Sequence, residues 1–127
     1  MTVTVLVVDD SKLARIVAGK AIAALQPDWN RLEAASAEEA LKIIAEQDVD
    51  VAVLDFNMPD KDGLQLAGEI RAANAQMPIA IITANVQDEI IARARALNTT
   101  FVAKPLTQDG IAPFIEGASL RLRKGNA

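Results

Sequence analysis

Two stretches of this chain are β-branched or aliphatic at every position, residues 3–8 and 51–54, and each runs straight into aspartate: Asp9-Asp10 and Asp55. An apolar run without polar alternation suits a strand covered on both faces of a sheet. Elsewhere the period is helical. Leu13, Ile16, Val17, Ala21 and Ala24 recur at helical spacing, with Ser11 available as N-cap and Pro27 closing the segment. Residues 31–35 predict a short second strand. Ser36-Ala37-Glu38-Glu39 then reads as a capping box that opens a helix through Ala40, Leu41 and Ile44 to about Gln47. After the turn-forming Asn57-Met58-Pro59-Asp60-Lys61-Asp62-Gly63, the positions Leu66, Ala67, Ile70 and Ala73 define a third helix. Residues 78–83 predict a fourth strand, 86–97 a fourth helix with Val86, Ile90, Ala94 and Leu97 on one side, and 100–103 a fifth strand. A last helix spans about 111–123, weakened near its start by Gly110 and Pro113, which cannot donate a ladder bond.

Strands alternating with helices predict an α/β fold, a doubly wound parallel sheet with helices on both faces, because parallel strands need crossover connections. Ligands of such sheets sit beyond the carboxyl ends of the strands. The two acid-terminated strands therefore predict one site. At 127 residues the chain has the size of a single domain, expected over 1–127, with no linker and no low-complexity segment.

Composition narrows the chemistry. Hydrophobic residues at 51% against 24% charged indicate a chain that folds by itself. A net charge of -4, from 13 basic and 17 acidic residues, gives no electrostatic footprint for nucleic acid. Neither cysteine nor histidine is present, so thiolate chemistry and the commonest general base are excluded. The opening apolar run has no basic flank and is too short for a signal peptide or a membrane span, so the expected compartment is the cytoplasm. Arg121, Arg123 and Lys124 suit the C-terminus of a helix and need no nucleic acid to explain them. Trp29 is read as packing.

The predicted strand ends bring Asp9, Asp10, Asp55, Thr83 and Lys104 to one edge of the sheet. Three close carboxylates would raise one another's pKa without a cation, and a hard divalent ion, Mg2+, is the simplest partner for oxygen donors. A carboxylate can also attack phosphorus to give an acyl phosphate. Charge on the phosphoryl oxygens would be met by the metal, by Lys104 and by the hydroxyl of Thr83.

In Val7-Val8-Asp9-Asp10-Ser11, the segment from Asp55 to Gly63, Ile82-Thr83-Ala84, Phe101 and Lys104-Pro105, the chain resembles the receiver domains of bacterial response regulators, single-domain chemotaxis regulators included. The resemblance covers essentially the whole length. It implies a flavodoxin-like (βα)5 fold with strand order 2-1-3-4-5, and a two-component switch phosphorylated on Asp55 by a histidine kinase or phosphotransfer protein. It further implies Mg2+ ligated by Asp10, Asp55 and the backbone carbonyl of Asn57, with Asp9 acting through water, and a cis peptide at Lys104-Pro105. Thr83 and Phe101 would then relay the phosphoryl group to the surface of the fourth helix, fifth strand and fifth helix, where a target protein docks. Small Ala84 would leave the phosphoryl group room, and Asn57 and Asn85 flank the reaction centre. A phosphorylation-dependent homodimer through the fourth and fifth helices stays open.

Two other functions stand beside this one. A phosphohydrolase working through an aspartyl phosphate would want a second acid two residues after the nucleophile, where this chain has Asn57. A receiver reduced to an interaction module would be expected to lack Asp10, Asp55, Thr83 or Lys104, and all four are present. Taken singly, Thr83 reads as a strand-ending β-former and Phe101 as core.

Overall fold

The computed structural model describes residues 2–84 and 87–125, with side chains as far as Leu122. Asn85 and Val86 therefore lie outside the described residues, as do the side chains of Arg123 and Lys124. The elements in order are β1 (Thr4–Val8), α1 (Lys12–Leu25), β2 (Asn30–Ala34), α2 (Ala37–Glu46), β3 (Val51–Asp55), α3 (Gly63–Ala73), β4 (Ile79–Thr83), α4 (Asp88–Ala96), β5 (Thr100–Ala103) and α5 (Gln108–Gly125). The strands form one parallel sheet in the order β2-β1-β3-β4-β5, the flavodoxin-like arrangement.

The fully apolar strands are those in the middle. Val5 to Val8, all of β3 and all of β4 are buried, because helices cover both faces. Alternate side chains divide between two cores. Leu6, Val8, Leu54, Ile79 and Ile81 pack with α2, α3 and α4 on one face, and Val5, Val7, Val53, Ile82 and Val102 pack with α1 and α5 on the other. Trp29 belongs to the second core. Among the described residues no helix is long and apolar enough to cross a membrane.

Caps account for most differences from the sequence expectation. Ser11 caps α1 through Ala14 N–H at 3.2 Å, and Ser36 caps α2 through Glu39 N–H at 3.1 Å. The reciprocal arm of that box reaches Ala35 rather than Ser36: Ala35 N–H donates to Glu39 Oε2 at 3.3 Å. Ala35 is thereby drawn off the strand, which shifts one residue back to Asn30–Ala34. The last helix starts at Gln108, three residues before the expected 111, because Thr107 caps it: its Oγ1 accepts from Gly110 N–H at 2.9 Å and its carbonyl from Ile111 N–H at 3.1 Å. Gly110 thus falls in the first turn. Pro113 lies inside a helix that remains continuous to Gly125, and the N–H it lacks would have served only the first-turn carbonyl of Asp109.

Candidate functional site

The sheet order reverses between β1 and β3, and the carboxyl ends of these two strands carry the acids. Their neighbour relation is fixed by the register Val8 to Leu54, one residue before Asp9 and Asp55 respectively. Main-chain bonds continue past the strand ends. Asp9 N–H donates to Ala34 O at 3.1 Å, Phe56 N–H to Ile82 O at 2.9 Å, and Lys104 N–H to Thr83 O at 3.0 Å. Each functional residue is therefore held by, or directly beside, a ladder bond from the adjacent strand.

Asp55 is 3% exposed, Asp9 8%, and Asp10 lies at the surface, with one carboxylate oxygen from each lying within 4.8 Å of the others. Lys104, joined to Pro105 by a cis peptide, places Nζ 2.7 Å from Asp55 Oδ1. That distance makes an ion pair. Oδ1 is nonetheless without a well-formed hydrogen bond, because the ammonium approaches at a poor angle. A buried carboxylate oxygen left in this state, among three acids and one lysine, suits a hard cation that prefers oxygen donors. The donor set therefore fits Mg2+.

Burial pushes the Asp9 carboxyl above its ordinary value, and the negative charges of Asp55 and Asp10 push the same way. A hydrogen bond from Ser11 N–H to Asp9 Oδ1, at 2.9 Å, and the charge of Lys104 act in the opposite sense without cancelling the rise. Asp9, Asp10, Asp55, Asn57 and Lys104 line an open cleft of about 540 Å³ whose far wall is apolar, formed by Leu13, Val17 and Leu106.

Thr83 closes β4 fully buried, and Ala84 follows it at the surface. Phe101 is half-buried on β5, paired in register with Ile81 and on the face opposite Val102. The structure thus brings together Asp9, Asp10, Asp55, Asn57 and Lys104, with Thr83 and Ala84 at the end of the next strand. Phe101 stands two residues back from the edge of the site, at the second residue of its strand.

Residues 5–116 match the family model described as the response regulator receiver domain. The chain belongs to that family. Receivers are the regulatory domains of two-component systems, in which response regulators take phosphate from histidine kinases. Among curated relatives this receiver is 35% identical over 123 residues to the probable transcriptional regulatory protein TcrX of Mycobacterium tuberculosis, covering 95% of this chain and 48% of the relative. It is 33% identical over 118 residues to the positive alginate biosynthesis regulatory protein of Pseudomonas aeruginosa, covering 91% and 46%. The chain spans about half the length of these relatives or less. Among solved structures, chemotaxis protein CheY4 of Vibrio cholerae superimposes with a TM-score of 0.83 at 23% identity, covering 93% of this receiver and 99% of that chain, a likeness of fold.

Three residues support the site through contacts that the sequence did not assign to them. Arg15 donates from Nη1 to the Asp9 carbonyl at 2.7 Å and from Nε to Glu33 at 2.9 Å. Asp60, in the loop after β3, accepts from Ala37 and Glu38 N–H at 3.3 and 3.0 Å, and these bonds, that of Glu38 foremost, hold its carboxyl below the ordinary value. Gly63 lies so close to β3 that a Cβ there would stand 2.5 Å from the Asp55 carbonyl oxygen. Arg15 had a visible signal: a cation early in a helix, where the dipole disfavours it. Asp60 and Gly63 were marked only by the turn, and by the segment from Asp55 to Gly63 that carries the resemblance, without a role of their own.

Proposed function

We propose that this receiver is a phosphate-accepting switch, phosphorylated on Asp55 in a Mg2+-dependent reaction by a histidine kinase or a phosphotransfer protein. The observation that carries the reading is the Asp55 carboxylate: buried at the end of β3, ion-paired to Lys104 at 2.7 Å, and within 4.8 Å of two further acids. In the transfer one Asp55 oxygen forms a new bond to phosphorus. The donor's P–N bond, or P–O bond for an acyl phosphate, breaks, and its electron pair leaves with the donor. Mg2+, ligated by Asp10, Asp55 and the Asn57 carbonyl and reached by Asp9 through water, would neutralise charge on the phosphoryl oxygens. Lys104 supplies a fixed positive charge and Thr83 a hydroxyl donor, and Ala84 leaves room beside them.

After transfer, the Thr83 hydroxyl moves to the phosphoryl group and Phe101 turns inward, a shift between two packings. The face made by α4, β5 and α5 changes shape and is read by docking, on a target protein or on a second copy of the chain. The chain acts as one receiver domain over 1–127, a cytoplasmic regulatory unit rather than an enzyme with a substrate of its own. Asn57, where a hydrolase of aspartyl type would carry its second acid, argues against multiple turnover on a phosphate substrate. Acetyl phosphate with Mg2+ tests the assignment. Intact mass should show one added phosphoryl group on the wild type and none on D55N or in EDTA, and undiminished labelling of D55N would overturn it.

A further inference from the structure

We infer that Arg15 is a positioning residue for the metal-binding corner, acting through the main chain between Asp9 and Asp10; the inference rests on the Mg2+ reading above. Arg15 lies on the second turn of α1, its side chain only 16% exposed. Its guanidinium spans two elements. Nε donates to Glu33 Oε1 on β2 at 2.9 Å, and Nη1 donates to the Asp9 carbonyl at 2.7 Å. The contact is to a peptide oxygen, so it governs the orientation of the Asp9-Asp10 peptide more than the charge of either acid.

That peptide is the hinge between the two carboxylates. Asp9 is already held at its N–H by Ala34 O, 3.1 Å away, and at Oδ1 by Ser11 N–H, 2.9 Å away. Its carbonyl is the remaining main-chain atom of the corner, and Arg15 fixes it to the neighbouring strand. Without that bond the peptide can rotate, and rotation swings the exposed Asp10 carboxylate relative to the buried Asp55. Groups that orient metal ligands in this way affect metal affinity by about 10- to 100-fold. A lysine cannot reproduce the contact, because a single ammonium does not span two acceptors set in fork geometry.

Mg2+ binding to the full chain, measured by isothermal titration for the wild type, R15A, R15K and E33Q, tests the inference. Thermal melts and the Asp10 amide nitrogen shift of the metal-free proteins accompany it. R15A should weaken Mg2+ binding about tenfold and R15K nearly as much despite keeping the charge, as expected for lost orientation of a ligand. E33Q should weaken it less. The Asp10 amide should move in all three, and labelling of R15A by acetyl phosphate should recover as Mg2+ is raised to saturation. A folded R15A with wild-type Mg2+ affinity and an unmoved Asp10 amide overturns the role. If R15A does not fold, E33Q decides, since its exposed carboxylate can be altered without loss of core. A wild type that takes up no Mg2+ overturns the metal reading instead, and the metal-free Asp10 amide still decides whether Arg15 holds the corner.

Discussion

Replacing Gly63 with alanine tests how closely the fold is built around the Asp55 main chain. A Cβ at this position would stand 2.5 Å from the Asp55 carbonyl oxygen, 3.1 Å from its carbonyl carbon and 3.0 Å from Phe56 Cα. All three are backbone atoms of the strand end that carries Asp55, so no flexible side chain can give way. Either α3 retreats or the end of β3 moves. Forcing an extra carbon into a packed site costs about 1–3 kcal/mol, and the short contact places G63A at the upper end. Gly68, in the middle of the same helix, has nothing within 4 Å of the corresponding Cβ. There the substitution removes only the entropic cost of glycine and should stabilise by about 0.5–1 kcal/mol. The two alanine variants should differ by about 3.5–4 kcal/mol, on the order of 15 °C in melting temperature for a domain of this size. Urea denaturation and calorimetry in EDTA measure this directly. Mg2+ affinity should also fall in G63A and not in G68A. A G63A protein as stable as G68A would refute the claim that this contact sets the position of the Asp55 main chain.

Because the folded-state pKa of Asp9 is raised, the native protein binds more protons than the unfolded chain between the ordinary value of 3.8 and the raised one, and stability is lost as pH rises through that window. Melting of the wild type in EDTA should fall relative to D9N across it, and saturating Mg2+ should shrink the difference. K104M leaves the buried Asp55 charge without its partner. With the lysine side chain 34% exposed, solvent screening reduces the cost to about 1–2 kcal/mol in EDTA, while labelling by acetyl phosphate should slow on the order of 100-fold. R71A removes a guanidinium that donates to the carbonyls of Asn74, Ala75, Met77, Leu97 and Asn98 at the far end of the sheet. It should cost about 2–4 kcal/mol in urea unfolding yet leave the labelling rate of the folded protein unchanged.

The architecture was legible because the central strands bury both faces. Residues 51–55 have no polar alternation to mislead, and the acid at each strand end marks the edge where the site forms. Boundaries were less legible where a side chain from outside the element competes for its backbone. Glu39 takes the N–H of Ala35 and shifts β2 back by one residue, and Thr107 extends α5 backward by a turn. Helix α4 begins at Asp88, with Gln87 in extended conformation as its cap, and the expected inner-face residues Ile90 and Ala94 are buried as periodicity requires. The acids and the lysine were readable as residue types placed at strand ends. The support they receive was less so, since Arg15, Asp60 and Gly63 act on main-chain atoms distant in sequence or across a turn, and outside local helix caps a sequence gives no pattern for such contacts.

That distinction bears on how the site can change without losing its form. Each strand end is fixed by a main-chain bond to its neighbour, at Asp9, Phe56 and Lys104. The loop after β3 is tied at Asp60 to α2 and at Asp62 and Gln65 to α3, and Gly63 N–H donates to the Phe56 carbonyl at 2.8 Å. The carboxylates and the ammonium therefore project from a frame whose geometry does not depend on their own charges. Substitutions at Asp55, Asp10 or Lys104 should remove chemistry while the frame persists, whereas G63A should move the frame while every reactive group is still present. Only the second kind of change alters the distance between Asp55 and the acids of β1. For that reason an Mg2+ affinity lost in G63A, with Asp9, Asp10 and Asp55 all intact, is the sharper sign that the spacing of three carboxylates, and not their number, makes the site.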